Sequence, residues 1–390
     1  MDMEVEQPTA PESASDSGVG AAAKRFGLKS AIQTNFGEDY VFQIVAKDDW
    51  SSMAVSLSTN IMKLYSPASG QYIGELRGHA DAVNHMSFQV PSSPSVLCSS
   101  ASDGTVRFWD TRNFQQVSIL NAGPSEEVFN FSFGGAGDHL LAAGCKSQVR
   151  LWDWRNSKEV ARLEESHTED ITQVHFVPGH PNKLLSASVD GLMCFFDTSG
   201  AINDDDNLES VLNVGSSIGK VGFFGANSQK IWCLTHIETL SVWDWKESVM
   251  EVNFEDARSL ASESWSQDHV DYFVDCHYSL EEDCLWAIGG TNAGTLGYFP
   301  LYSKTSAGAA ARIGPAEAIL IGGHAGVVRS VLPLRSPMQR KGIFGWTGGE
   351  DGRLCCWLSD TSFDTNRSFI SSALVAKSQK NCRKSRHSPY

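Results

Sequence analysis

Residues 78–110, GHADAVNHMSFQVPSSPSVLCSSASDGTVRFWD, decide the fold. The stretch opens on Gly78-His79 and closes on Trp109-Asp110. Inside it, two β-rich runs flank Asp103-Gly104. Asp-Gly is a dipeptide that tight hairpins prefer, because it tolerates positive φ. The runs on either side are short, alternate apolar with polar residues and contain β-branched side chains, which predicts strands.

The same pattern recurs along the chain. Its endings read QVRLWD at 148–153, LMCFFD at 192–197, LSVWD at 240–244 and RLCCWL at 353–358, with weaker copies IMKLYS at 61–66 and TLGYFP at 295–300. The position of the Trp is held by Tyr65, Trp109, Trp152, Phe196, Trp243, Phe299 and Trp357, at intervals of 44, 43, 44, 47, 56 and 58 residues. A period of about 40–45 residues is that of four-stranded propeller blades. The expected fold is therefore all-β, a seven-bladed β-propeller. The two long intervals imply insertions, expected at 255–268 and 302–316. Strands are expected at 41–46, 53–58 and 61–65 in the first unit and at 171–176, 184–187 and 192–196 in the fourth. Asp190-Gly191 and Asp351-Gly352 are expected to turn as Asp103-Gly104 does. No segment shows sustained helical periodicity. Closing the ring removes an exposed sheet edge. The strand that closes it is expected from residues 26–35, completing the unit of Trp357, with residues 368–375 as the competing candidate. The expected organisation is an acidic disordered tail at 1–25, the propeller at 26–375 and a basic disordered tail at 376–390.

From Gly78-His79 to Trp109-Asp110 the chain resembles the WD-repeat family. That resemblance implies a protein-binding platform rather than an enzyme. It also implies a hydrogen-bonded set of His, Ser or Thr, Asp and Trp within a blade. The matching residues are His79, Ser99 or Ser100, Asp103 and Trp109 in the second unit, and His324, Thr347, Asp351 and Trp357 in the seventh. The fourth has His167, Ser186 or Ser188, and Asp190, but Phe196 has no N–H to donate. Lys146, Ile237 and Ala293 stand at the Asp position of the third, fifth and sixth units, which are expected to rely on packing alone. Two consecutive units end in W-D-x-R, giving Arg112 and Arg155. This signature resembles substrate receptors that dock on the damaged-DNA-binding adaptor of cullin-4 ubiquitin ligases. These arginines are the candidate partner contacts, since a guanidinium offers a bidentate, charge-assisted bond. The competing expectation is that each pairs with a nearby carboxylate. Further contacts are expected on loops before the Gly-His positions and after the first strand of each blade.

Charge narrows the function classes. The formal net charge is −15, which argues against a body that coats nucleic acid. Residues 1–20 carry five acids and no base, and residues 377–386 carry Lys377, Lys380, Arg383, Lys384 and Arg386 with no acid. The basic end is a candidate nuclear import signal or RNA contact, and otherwise a solubilising tail. The expected setting is the nucleus and cytoplasm, with ribosome-assembly factors among the expected partners. No apolar run reaches the roughly 18 residues of a membrane span, and the start lacks a secretory apolar core. Nine cysteines stand in no framework, so reduced thiols packed as small hydrophobes are expected.

Other motifs carry little chemistry. Residues 289–295, GGTNAGT, lack the Lys of a phosphate loop and read as a hairpin turn. His269, Cys276, His277 and Cys284 fit no usual zinc spacing, and neighbours on a strand face opposite ways. No G-x-S-x-G elbow is present, and Asp204-Asp205-Asp206 reads as a solvated loop. No catalytic residue, metal or cofactor is expected, and a closed ring gives no reason to expect an oligomer.

Overall fold

A computed structural model describes residues 23–34, 39–265, 268–302, 310–333 and 343–358. Its sheets follow the repeat. Five are four-stranded, each built from consecutive antiparallel strands beginning at Val41–Ala46, Val83–Ser87, Asn130–Gly134, Ile171–Phe176 and Ile218–Phe224. The sixth sheet has nine strands and contains the two remaining units. The architecture is a propeller, and its sheets fit seven blades. The tail residues 1–22 and 359–390, including the competing closing segment 368–375, lie outside the described residues.

The strand expected at 26–35 spans Lys24–Gln33, two residues earlier. It closes the ring in two directions at once. Its start runs parallel to Ala318–Leu320 of blade six, with Phe26 opposite Leu320. Its remainder runs antiparallel to Arg353–Leu358 of blade seven, with Leu28 opposite Trp357 and Gln33 opposite Arg353. Thr34 then donates from both its amide and its hydroxyl to the Gly352 carbonyl, at 3.0 and 2.9 Å. This double pairing is why the last two blades merge into one sheet.

Packing closes the same circle. Among the described residues, seven apolar clusters form, each shared by two neighbouring blades. One joins blade seven to blade one, through Trp346, Leu354 and Cys356 against Val41, Met53 and Tyr65. Trp346 is fully buried there and donates to the Pro67 carbonyl at 2.9 Å. The second strands supply much of the core, and Met53–Leu57 and Leu140–Gly144 are buried at every position. Cys98, Cys145, Cys194, Cys233, Cys355 and Cys356 are free and buried, acting as small apolar residues.

Both expected insertions depart from the plain repeat. The first contains a helix, Ala257–Glu263, where sequence periodicity predicts none. Seven residues are too few to display a period, and only Ala257 and Ala261, one turn apart, are buried. The second leaves blade six with a divided outer edge. Arg312–Ile313 pairs with Leu301–Tyr302, and Ala318–Leu320 pairs with residues 296–298 of the same strand. No helix of the described residues is long and apolar enough to cross a membrane.

Deleting residues 1–33 bares the edge strand of Trp357 and removes Phe26 from the cluster between blades six and seven. The truncated protein is expected to aggregate and to melt at lower temperature, measured by size-exclusion chromatography and calorimetry. A soluble truncation of unchanged melting temperature contradicts this account of closure.

Candidate functional site

Three blades carry a hydrogen-bonded chain from a carboxylate into the core. In blade two, His79 Nδ1 lies 3.0 Å from Asp103, and His79 Nε2 lies 2.7 Å from the Ser99 hydroxyl. Trp109 Nε1 donates to that same hydroxyl at 2.8 Å. Blade seven repeats the set, with His324 at 3.0 Å from Asp351 and 2.7 Å from Thr347, and Trp357 donating to Thr347 at 2.8 Å. In blade four His167 meets Asp190 at 3.0 Å and Ser186 at 2.7 Å, and Phe196 ends the chain. Of the paired alternatives, Ser99 and Ser186 hold the position. Ser188 instead donates to the Glu169 carbonyl, and the Ser100 hydroxyl is buried with no hydrogen-bond partner.

The aspartates tie two loops together. Asp103 accepts from the Ala80 amide, Asp190 from Thr168 and Asp351 from Ala325, at 2.9, 3.0 and 2.9 Å. Each bond joins the loop entering a blade to the turn between its second and third strands. Gly104, Gly191 and Gly352 in those turns have φ of +75°, +84° and +67°, which glycine adopts without Cβ strain. Burial pushes His79 and His167 below the usual histidine range, against the pull of their aspartates. Burial alone would raise Asp103 and Asp351, but hydrogen bonds to Asp103 from Thr105, Ala80 and His79, and to Asp351 from His324, Ala325 and Arg353, hold both below the usual carboxylate value.

The remaining blades do not rely on packing alone, contrary to the sequence expectation. Trp243 donates to Ser241 at 2.8 Å, and His236 bonds Ser217 at 2.6 Å. Glu238 accepts from the Phe273 amide of the next blade at 2.7 Å. Asp271 accepts from the Asn292 amide at 2.6 Å, and Lys146 donates to the Ser125 carbonyl at 3.1 Å. Blades three, five and six thus carry loop bonds of their own in place of the missing Asp.

Strand alternation sorts the loops into two faces. Loops that enter a blade and turns between second and third strands share one face. Loops after the first strand and turns after the third share the other. The two expected sets of contact loops, before Gly-His and after the first strand, therefore lie on opposite faces. Arg112 and Arg155 sit in turns after the third strand. Arg112 is largely exposed, yet its fork is closed on Asp110, with Nε at 2.9 Å and Nη2 at 2.6 Å. These hydrogen bonds pull Asp110 down to about 2. Arg155 donates from Nη2 to the Gly137 carbonyl. Asp153 accepts instead from the Arg155 amide and from Asn156. Trp154, between Asp153 and Arg155, stacks on Phe108 and meets Phe133 edge-on, which anchors this turn between blades two and three.

That same face opens onto a cavity of about 900 Å³ in the central channel. Phe88, Phe133, Phe176 and Phe223 all line it. They come from the ends of the first strands of four consecutive blades, and Phe133, Phe176 and Phe223 hold one register, opposite Leu141, Leu184 and Ile231. All four rings are only partly buried. Sequence reasoning missed them, though the signal was there: they recur at intervals of 45, 43 and 47 residues, in step with the Trp position. Among the described residues no group of three or more metal-binding side chains converges. Cys276, His277 and Cys284 lie along one hairpin, with His277 stacked near Trp286. The GGTNAGT segment is the turn of that blade, where Gly294 has φ of +91° and a Cβ would collide with the His324 backbone. The expected solvated loop at Asp204 is instead a one-turn helix, Asp204–Asn207, capped by Asn203, and Asp204 accepts from the Glu164 amide and the Ser166 hydroxyl.

Ser99→Ala strands both His79 and the Trp109 indole and is expected to cost about 2–4 kcal/mol in denaturant unfolding. Ser186→Ala, on which no indole depends, is expected to cost less. Equal losses contradict the chain of bonds. Acid lability has a fixed sign. The folded state keeps His79 and His167 neutral where the unfolded chain protonates them, so stability falls as pH drops below about 6.5. It falls again below about 4, as Asp103 and Asp351 are forced to protonate. Urea midpoints followed from pH 8 to about 4 check this.

Residues 70–110 match the family model described as WD domain, G-beta repeat. The chain is 62% identical over 380 residues to WD repeat-containing protein GTS1 of Arabidopsis thaliana, covering 96% of each chain. It is 30% identical over 262 residues to WD repeat-containing protein 89 homolog of Dictyostelium discoideum, covering 67% of this chain and 70% of that one. That match supports a likeness to WD repeat-containing protein 89 and its homologues. WD-repeat domains generally bind other proteins, and neither this family model nor these relatives indicate a catalytic family. The chain belongs to the WD-repeat family.

Proposed function

We propose that the chain is a non-enzymatic scaffold that receives a segment of a partner protein in the aromatic mouth of its central channel. The observation that carries this is the ring of Phe88, Phe133, Phe176 and Phe223 around one cavity of about 900 Å³. Four partly exposed rings in a concave site are an uncommon use of surface. Water wets them poorly, and a partner side chain seated among them gains apolar contact without forcing the rigid strands to move. The loops after the first strands, including Lys47 to Trp50 and Gln89 to Pro94, frame the entrance. The proposal extends to a nuclear or ribosome-assembly setting on the strength of the basic run from Lys377 to Arg386, with RNA contact confined to that run.

A second function rests on Arg112 and Arg155, which occupy equivalent turns of adjacent blades on the same face as the mouth. In it the chain docks on the cullin-4 adaptor as a substrate receptor. Arg112 would have to exchange Asp110 for the adaptor's carboxylate, so docking there trades one bidentate pair for another.

Affinity purification with mass spectrometry separates the two. Phe88→Ala plus Phe176→Ala is expected to remove most captured proteins, while Arg112→Ala plus Arg155→Ala leaves them. Loss of the cullin adaptor alone on the arginine double substitution supports the receptor function. Unchanged capture by the phenylalanine variant, with its melting temperature retained, overturns the proposed mouth.

A further inference from the structure

The third strand of blade seven, Arg353–Leu358, runs from the Gly-His face to the face of the mouth and ends there at Leu358. Three strands of that blade lie side by side at this end. Pro333 stands opposite Gly345, and Gly345 opposite Trp357, the residue before Leu358. Pro333 and its neighbour Leu332 line the cavity. Two steps between paired strands, of about 4.8 Å each, separate Leu358 from that lining, roughly 10 Å in all. The chain thus passes into residues 359–390 at the rim of the mouth.

In sequence, that continuation has one strongly apolar stretch. Residues 368–376, SFISSALVA, hold Phe369, Ile370, Leu374 and Val375 with two alanines and no charge. Lys377 opens the basic run directly after it. The other use of such a stretch, closing the ring, is already taken. Residues 27–33 pair with residues 353–358 along their whole length and fill that edge. The nine intervening residues, 359–367, span about 30 Å when extended, some three times the distance to the lining.

We infer that residues 368–376 seat in the phenylalanine mouth of their own chain and hold the partner's place until a partner displaces them. This rests on the mouth being the partner site and adds its regulation. Phe369, Ile370 and Leu374 cover rings that water wets poorly, and they do so without burying a charge. A tether of this length gives the segment an effective concentration of about a millimolar, so contacts weaker than those of a separate partner keep the mouth filled. The loop that carries Asp48 and Asp49 lines the cavity on the side of blade seven, since its Trp50 packs in the cluster that joins blades seven and one. Those carboxylates are opposite in charge to the run that follows the apolar stretch, and Lys47 of the same loop donates to the Thr111 hydroxyl at 3.3 Å. The other end of the chain lacks the chemistry. Residues 1–22 hold five acids and no Phe, Tyr, Trp, Leu or Ile.

The test uses the full chain, its tail variant Phe369→Ser plus Ile370→Ser plus Leu374→Ser, and a fluorescein-labelled peptide of residues 366–380 followed by anisotropy. The tail variant is expected to bind the peptide. The unsubstituted chain is expected to bind it about tenfold more weakly or worse, because its own segment fills the site. Adding Phe88→Ala and Phe176→Ala to the tail variant is expected to abolish peptide binding with the melting temperature retained. A photo-crosslinking benzoylphenylalanine in place of Phe369, in a chain whose mouth is unaltered, is expected to join Phe88, Phe133 or Phe176, or a residue beside them, within one molecule. Equal peptide binding by the two chains overturns occupancy by the chain's own segment, and crosslinks formed only between two molecules overturn it in favour of a second copy. A tail variant that binds no peptide, but whose captured proteins still depend on Phe88 and Phe176, overturns the tail segment and leaves the mouth standing. Absence of peptide binding and of that dependence together overturns both.

Discussion

A propeller blade cannot bury its own apolar surface, because each sheet is flanked by others and its core lies between neighbours. Every cluster described above is shared by two blades, so each blade is stable only as a member of a completed circle. The closing strand Lys24–Gln33 is where that circle depends on a single segment. It pairs with the outer edge of blade six and the third strand of blade seven together, so loss of one strand opens two sheets. Hydrogen bonds of the His79 and His324 type add to this by fixing the loops that carry the chain from blade to blade. Both sets of bonds tie neighbouring blades into one ring.

The chain displayed its repeat because propeller packing repeats the same chemistry. Trp109 and Trp357 sit at the same depth in different blades, and each needs one hydroxyl to satisfy its indole. Such needs leave a periodic trace in the sequence. What periodicity did not reveal has physical reasons too. The helix Ala257–Glu263 is stabilised by tertiary contact through two alanines, not by a period of its own. The bonds that replace the missing carboxylates differ in every blade, from Glu238 to Lys146, so no shared motif announces them. The phenylalanines were periodic but sat at strand ends, where a ring facing the core and a ring facing the channel look alike in sequence. Arg112 shows the opposite case: a recognisable short motif whose side chain folds back on Asp110.

The two faces of the molecule are therefore unlike. The face of the Gly-His loops is laced by aspartate-to-amide bonds, which favour rigidity over exposure of donors. The opposite face leaves phenylalanines at the channel and arginine turns at the periphery. Function proposed on the second face would use the order created by the first, since the same strands carry a bonded loop at one end and the proposed mouth at the other.

The closing strand also sets a timetable. Gln33 and Thr34 bond to Asp351 and Gly352 across 318 residues of sequence. During synthesis the first strand emerges long before its partner exists, and it must remain unpaired while five complete blades form beside it. Contacts this remote carry a high loop-closure cost and slow the final folding step. The growing chain is thus an open arc with a bare edge at each end. Until blade seven is made those edges stay exposed, the condition in which strands are most prone to pair with other chains.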